Sequence, residues 1–362
     1  MAYPQLTIYY NRIKENASFL RTICQNQGID VVAAIKGFNA DPAICQALID
    51  VGYTCFASSR LCQLQDIRNR NLSVQTMLLR IPMLSELAQL IYCTDITLIS
   101  EKTTITELNN LLKKADLSLS VILMRDLGDL REGILDRNEF YELAEYTESL
   151  SHVHLLGIGT NLSCYGSVIP TVKNLQELSD DAVEIERRIG RILEVVSGGA
   201  TSSLPLVFNR TMPAKINQLR IGEALIVPVA TLESLECVVT PLRTDAILLH
   251  AEIIEIGIKP TMPIGDLGRN GLGGYSKYVD RGNRLRAILA IGVFDIGEPE
   301  LLIPVDSDIT VLGASSDHLI VDIQDSKQIY KLGDIISFKL CYKNMLFATS
   351  SQEIEKQVFY NE

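Results

Sequence analysis

Two hydrophobic patterns alternate along the first 230 residues. Short apolar runs such as 31–35 are typical of buried strands, and between them lie longer stretches whose apolar residues recur at helical spacing. One of these stretches, 41–52, begins with Asp41 as a helix N-cap and Pro42 at the first helical position. Because continuous apolar strands separated by helices are typical of a parallel sheet covered on both faces, we expect an α/β fold here.

The pattern changes near residue 232. Before it, the predicted strands are LTIYY, VVAAI, YTCFASS, VQTMLLR, DITLIS, LSLSVILM, HVHLLGIG, LEVVSGG and QLRIGEALIV, which make about eight strand–helix units. Eight units favour a closed (β/α)8 TIM-type barrel over an open sheet. After it, the strand runs LECVVTPLRT, AILLHAEIIEIG, RLRAILAIGVF, DITVLGASSDHLIVDI and DIISFKLCY follow with hardly any helix. We therefore predict a barrel over 1–232 and a C-terminal mainly-β domain over 233–362.

Composition narrows the class of protein. The 362 residues carry a net charge of −11 without a basic cluster, which argues against nucleic acid as a partner. We expect no secretory signal and no membrane span, because the amino terminus lacks a basic start before an apolar run and the apolar runs are strand-sized. The eight cysteines are scattered, with no CxxC pair and no histidine at ligand spacing. This pattern favours a cytoplasmic protein with reduced thiols and no metal site.

Three motifs lie at ends of predicted barrel strands, where this architecture gathers its catalytic groups. Lys36 directly follows an apolar strand, and partial loss of solvent there would lower the pKa of its amine and favour covalent chemistry with a carbonyl. The loop VSGGATSS at 196–203 offers backbone N–H groups and hydroxyls that suit a phosphate. Arg220 and Gly222 add a permanent positive charge and a close-approach glycine at another strand end. Alone, each motif is also compatible with a solvated side chain or an ordinary turn, whereas the ordered combination favours a site.

These motifs and their surroundings resemble the fold-type III pyridoxal-phosphate enzymes, the alanine racemase family, and in particular the ornithine racemase branch. The similarity covers most of the chain, including IKGFNADP, LLRIPMLSE, VILMRDLGDLREGI, GIGTNLSCYG, VSGGATSSLP, LRIGEA, RAILAIG and LGASSDHLIVD. It implies pyridoxal 5′-phosphate as cofactor, a free amino acid as substrate, and a homodimer. In that dimer the barrel of one subunit and the β-domain of the other build each active site.

The resemblance also implies roles for individual residues. Lys36 would bind the cofactor covalently, and Arg220 would face its pyridine nitrogen. Because a guanidinium does not give up its proton, it would leave that nitrogen unprotonated and disfavour transamination and decarboxylation. The remaining cofactor contacts would come from Arg131 beside the phenolic oxygen and from the phosphate-binding residues Thr201, Ser202, Gly222 and Tyr342.

A racemase needs an acid–base group on each face of the reacting carbon, and the second group is not obvious here. Alanine racemases use a tyrosine in an IGYADG segment, whereas the matching text here is IGVFD, with Val293 at the tyrosine position. Asp317 and His318 are the preferred replacements, because their segment matches a β-domain loop that reaches the partner's site in the family. The other candidates are Asp295, Tyr165 and Cys164.

The substrate prediction is a basic amino acid, with ornithine first. Four acidic residues near the barrel mouth could hold its distal ammonium group, namely Asp126, Asp129, Glu132 and Glu223. An alanine or serine racemase is the alternative within the same class. A non-catalytic carrier or regulator that binds pyridoxal phosphate is the alternative from another class, favoured by Val293 and opposed by the second domain.

Overall fold

The computed structural model describes residues 2–234, 241–275 and 278–360. Its strands are β1 Gln5–Tyr9, β2 Asp30–Ala34, β3 Cys55–Ser58, β4 Gln75–Leu78, β5 Ile96–Ile99, β6 Leu119–Met124, β7 Val153–Gly159, β8 Val195–Ser197, β9 Gln218–Ile221, β10 Ile247–Pro260, β11 Asn283–Leu289, β12 Ile303–Pro304, β13 Thr310–Ala314, β14 Leu319–Asp322, β15 Ile335–Lys339 and β16 Glu355–Phe359. Its helices are α1 Tyr10–Gln25, α2 Pro42–Asp50, α3 Leu61–Asn69, α4 Leu87–Cys93, α5 Lys102–Ala115, α6 Arg137–Glu148, α7 Val172–Ile189, α8 Leu204–Phe208, α9 Glu223–Ile226, α10 Val229–Ser234, α11 Val293–Ile296 and α12 Tyr342–Ala348.

Strands β2 to β9 close into an eight-stranded parallel barrel. Its interior is filled by apolar side chains such as Val32, Met77, Leu98 and Ile122, so the barrel is a packed core with its functional face at the carboxyl ends of the strands. Six of the remaining strands form a separate antiparallel sheet in the order β12-β15-β10-β11-β14-β13, and β1 and β16 extend it. The predicted (β/α)8 barrel followed by a mainly-β domain is therefore confirmed.

The position of β1 differs from the predicted division of the chain into a barrel over 1–232 and a β-domain over 233–362. β1 pairs antiparallel with β10 and parallel with β16, so it belongs to the second sheet although it precedes the barrel. The run LTIYY is apolar like a barrel strand, and nothing local in its sequence distinguishes the two sheets. Of the predicted strand at 235–244, residues 235–240 lie outside the described residues and 241–244 are not in a strand.

One continuous apolar core joins the two sheets. It includes Ile8 on β1, Ile221 on β9 and Leu249 on β10, all at most 1% exposed. Because burial of this apolar surface stabilises both units together, the β-domain is held firmly beside the barrel. No helix within the described ranges is long and apolar enough to span a bilayer.

Candidate active site

A cavity of about 520 Å³ opens at the carboxyl ends of the barrel strands. Its lining includes all seven residues that the sequence singled out for cofactor binding, namely Lys36, Arg131, Thr201, Ser202, Arg220, Gly222 and Tyr342. Six of them come from the barrel, whereas Tyr342 is the first residue of α12 in the β-domain. Residues that are far apart in the sequence thus lie together in one cavity, as expected for motifs at the carboxyl ends of barrel strands.

Lys36 lies in a short 3₁₀-helix, Ile35–Phe38, that directly continues β2. The segment is held from the β-domain: Thr349 Oγ1 donates a hydrogen bond to the Gly37 carbonyl at 3.2 Å, and a Cβ on Gly37 would lie 2.8 Å from Met345 Cε. The absence of a side chain at Gly37 lets Met345 and Tyr342 of α12 pack directly against the lysine segment. The β-domain therefore fixes the direction in which Lys36 leaves the barrel.

The Lys36 amine lines the cavity in an environment that disfavours its charge. Burial lowers the pKa of Lys36 from its usual value, and the nearby guanidinium groups of Arg131 and Arg220 act in the same direction. A lowered pKa increases the fraction of neutral amine at physiological pH, which is the form that attacks a carbonyl or accepts a proton.

Arg220 is almost completely buried at the end of β9. Its guanidinium donates hydrogen bonds to Ser197 Oγ and, at 2.6 Å, to the Thr160 carbonyl oxygen. Burial lowers the pKa of Arg220 to about 10, which leaves the group charged at neutral pH. The sequence analysis included Ser197 in the 196–203 loop but identified neither residue as an acceptor for Arg220, although Ser197 ends β8 and Thr160 directly follows β7.

The phosphate-binding expectation corresponds to a compact cradle. Thr201 and Ser202 begin a 3₁₀-helix after β8, where the first N–H groups of a helical turn have no partner within the turn. A Cβ on Gly222 would lie 2.9 Å from the Ala34 carbonyl oxygen, so any larger residue would push this wall away from its neighbour. Burial, followed by the charge of Glu223, raises the pKa of Tyr342 to about 12, which keeps its phenol protonated as a donor.

The residues present fit pyridoxal phosphate. Beside Arg220, Thr160 Oγ1 and Asn161 Nδ2 are buried without a hydrogen-bond partner among the described residues, and Asn161 lines the cavity. A polar ligand in the cavity could pair with Asn161, and such pairing is favourable because a buried donor without a partner is costly. Lys36 would bind the cofactor covalently, Arg220 would face its ring nitrogen, and the Thr201–Ser202 turn with Tyr342 would hold its phosphate.

Arg131 lies over the cavity on the loop that follows β6. Its guanidinium donates two hydrogen bonds to the carboxylate of its neighbour Glu132, one of them from Nη2 to Oε1 at 2.6 Å. The loop itself is anchored by Arg125, whose Nη1 donates to the carbonyl oxygens of Asp126 and Ile134. The predicted position of Arg131 beside the cofactor thus agrees with the geometry, while its role stays a prediction.

Two of the four predicted substrate-binding acids accept hydrogen bonds from backbone N–H groups of the surrounding loops instead. Asp129 is 1% exposed, and its carboxylate accepts N–H groups of Cys164, Tyr165 and Val168. Asp126 Oδ1 accepts the N–H groups of Gly128 and Leu130. These two residues shape the loops around the mouth.

Asp317 and His318 do not line the cavity of their own chain. Both are exposed on the turn that joins β13 and β14, where Ser316 Oγ donates to Asp317 Oδ2 at 2.5 Å. The backbone N–H groups of Val293 and Phe294 donate to carbonyl oxygens of Ser315 and Ser316, at 2.9 and 3.2 Å. The segment with valine at the expected tyrosine position and the turn with Asp317 therefore form one surface.

The other candidates for the second acid–base group differ in whether they line the cavity. Asp295 accepts a hydrogen bond from Ser351 Oγ at 2.6 Å, and neither Asp295 nor the 75% exposed Tyr165 lines the cavity. Cys164 does line it. Within a single chain, Cys164 is thus the one sequence-predicted candidate in contact with the cavity.

Comparison with known proteins agrees with this arrangement. The alanine racemase N-terminal domain family matches residues 8–228. An ornithine racemase of Acetoanaerobium sticklandii is 38% identical over 98% of this chain and 99% of its own length, and a lysine racemase of Thermotoga maritima is 35% identical over 98% of each. The fold is that of the alanine racemase from the D-cycloserine-producing Streptomyces lavendulae, with a TM-score of 0.76, 15% identity, and coverage of 100% of this chain and 99% of that one. From its sequence and its fold together, the chain belongs to the alanine racemase family and is a pyridoxal-phosphate-dependent amino-acid racemase.

Proposed function

We propose that the protein is a homodimeric racemase that interconverts L- and D-ornithine. The observation that carries the proposal is the half-buried Lys36 amine, held in one cavity with a buried guanidinium and a phosphate cradle. The preference for a basic amino acid is supported by the names of the two relatives that match over nearly the whole chain. A cytoplasmic location is supported by the free thiols of the cysteines in the described ranges.

The chemistry requires a proton to leave one face of Cα and to return on the other. Pyridoxal phosphate, when bound, supplies the electron sink that makes the Cα hydrogen acidic. The Lys36 amine serves one face, because it is partly desolvated and its carrier segment is fixed by α12. Arg220, charged and almost completely buried, would face the ring nitrogen, and its hydrogen bonds to Ser197 and Thr160 hold it in that orientation.

We assign the opposite face to Asp317 or His318 of a second subunit. Both residues are exposed and neither lines the cavity of its own chain, which supports a contact of their turn with the site of a second subunit. The β10–β11 hairpin supports association further, since its end presents the exposed apolar side chains of Ile264, Tyr275 and Val279. Exposed apolar groups clustered on one arm are typical of a protein–protein contact.

The test is a racemase assay in deuterium oxide with ornithine, lysine, alanine and serine, resolved by chiral chromatography. We expect ornithine and lysine to be inverted, each with one deuterium at Cα. Turnover of alanine or serine without ornithine would overturn the substrate. Deuterium exchange without inversion would show that only one acid–base group works, and purified protein that never binds the cofactor would overturn the proposal altogether.

A further inference from the structure

Glu132 differs from the other acidic residues around the mouth. Asp126 and Asp129 bind backbone N–H groups, as described above. Glu223 directly follows Gly222 on the phosphate side of the cavity, where burial raises the pKa of Tyr342 and the charge of Glu223 raises it further. A carboxylate in that position would repel the phosphate and is poorly placed for the free end of a substrate.

The charge of Glu132 acts on the reactive side of the cavity instead. It partly offsets the effect of burial on the pKa values of Lys36 and Arg220. Its side chain is 16% exposed and lines the same cavity as the lysine. The carboxylate and the reacting amine therefore face the same cavity, and the side chain of a substrate bound there would lie between the lining residues that carry them.

Arg131 fixes the orientation of the Glu132 carboxylate, but lone pairs on its oxygens remain available to accept further hydrogen bonds. Arg131 occupies each oxygen once, Nε on Oε2 and Nη2 on Oε1. A carboxylate has about four lone-pair positions, so two remain for a further donor. The same cavity is also lined by the apolar side chains of Leu79, Ile81 and Leu98, which suit a methylene chain.

We propose that Glu132 binds the distal ammonium group of the substrate and thereby selects basic amino acids. This inference rests on the proposed function, since it assumes that a basic amino acid is turned over. A neutral side chain would leave the partly buried carboxylate without the donor that its remaining lone pairs require, so Glu132 discriminates against alanine and norvaline as well as for ornithine.

The test compares ornithine with norvaline, which has the same carbon chain without the distal amine. Initial rates of racemisation are measured for the wild-type holoenzyme, for Glu132→Gln and Glu132→Asp, and for the surface control Glu184→Gln on α7. We expect Glu132→Gln to lower the ratio of kcat/KM for ornithine to that for norvaline by about ten- to hundredfold, the range of a charge-assisted hydrogen bond. The change should appear mainly in KM for ornithine. Glu132→Asp should restore part of the ratio, and Glu184→Gln should leave it unchanged.

Bound cofactor is measured in parallel by absorbance, because Glu132 also contacts Arg131. A Glu132→Gln enzyme that loses activity equally on both substrates, or that loses cofactor absorbance, would show that Glu132 only positions Arg131 and would overturn the inference. An unchanged ratio with full ornithine turnover would also overturn it, while leaving the proposed racemase intact. Wild-type enzyme that does not turn over ornithine would instead contradict the proposed function.

Discussion

The loop that carries Arg131 and Glu132 depends on one buried carboxylate outside the cavity. Asp181 on α7 is completely buried and accepts hydrogen bonds from Tyr141 Oη at 2.6 Å and from Arg125 Nε at 3.0 Å. An ion pair with Arg137 at 2.8 Å completes its surroundings. Since Arg125 also holds the backbone of the loop, we predict that Asp181→Asn destabilises the fold and disorders the active-site loop together.

The magnitude follows from the burial of the pair. Arg125 is 6% exposed, so neutralising Asp181 leaves a buried guanidinium without its counter-charge. Breaking such a pair from one side costs about 3–5 kcal/mol. With an unfolding entropy of about 2.1 cal/mol/K per residue, a chain of 362 residues would lose about 4–7 °C in Tm. Misplacement of the loop by about 1 Å would lower kcat/KM up to about a hundredfold.

Differential scanning calorimetry and steady-state racemase assays on the holoenzyme measure both effects. The matched control is Glu184→Gln on the same helix, which removes ion pairs to Arg187 and Arg188 at the surface. Surface pairs contribute little, so this variant should melt and react like the wild type. An Asp181→Asn enzyme with the Tm and kcat/KM of the control would refute the reasoning.

Three further predictions concern the cavity. In the apo-protein, Lys36→Met should raise Tm at pH 7. Burial lowers the folded-state pKa of Lys36, so the charged amine destabilises the fold. The gain in Tm should shrink as pH rises towards the unfolded-state pKa near 10.4, which thermal melts across pH would check. Gly222→Ala should weaken cofactor binding by about 5- to 150-fold in a fluorescence titration, because the new Cβ would lie 2.9 Å from the Ala34 carbonyl oxygen and cost about 1–3 kcal/mol of strain. Equal affinity would contradict the cradle. Loss of the second acid–base group in Asp317→Asn or His318→Ala should lower the rate of inversion about 10²- to 10⁴-fold, while deuterium exchange at Cα of one enantiomer persists. Inversion at the wild-type rate in both variants would show that the partner's turn takes no part in the mechanism.

The sequence predicted the barrel and most of its mouth because both depend on local patterns. Strand ends such as Lys36 and Arg220 follow directly from an apolar run, and the carboxyl ends of barrel strands must meet. The acceptors Thr160 and Ser197 could have been found in the same way, since each ends or follows a predicted strand.

Contacts between distant parts of the chain could not be predicted in this way. The pairing of β1 with β10 and β16, and the packing of Met345 on Gly37, join segments more than 200 residues apart. Nothing in the residues themselves specifies such partners. The same limit explains why Asp129 looked like a substrate ligand, since its role appears only when the loop of Cys164 folds onto it.

The central claim is that the amine of Lys36 is the group that binds pyridoxal phosphate covalently. Reduction of the holoenzyme with borohydride, followed by proteolysis and mass spectrometry, tests it most directly. The account predicts a single pyridoxyl-modified peptide with the modification on Lys36, absent from the Lys36→Ala variant. A modification on another lysine, or a covalent chromophore that survives in Lys36→Ala, would contradict it.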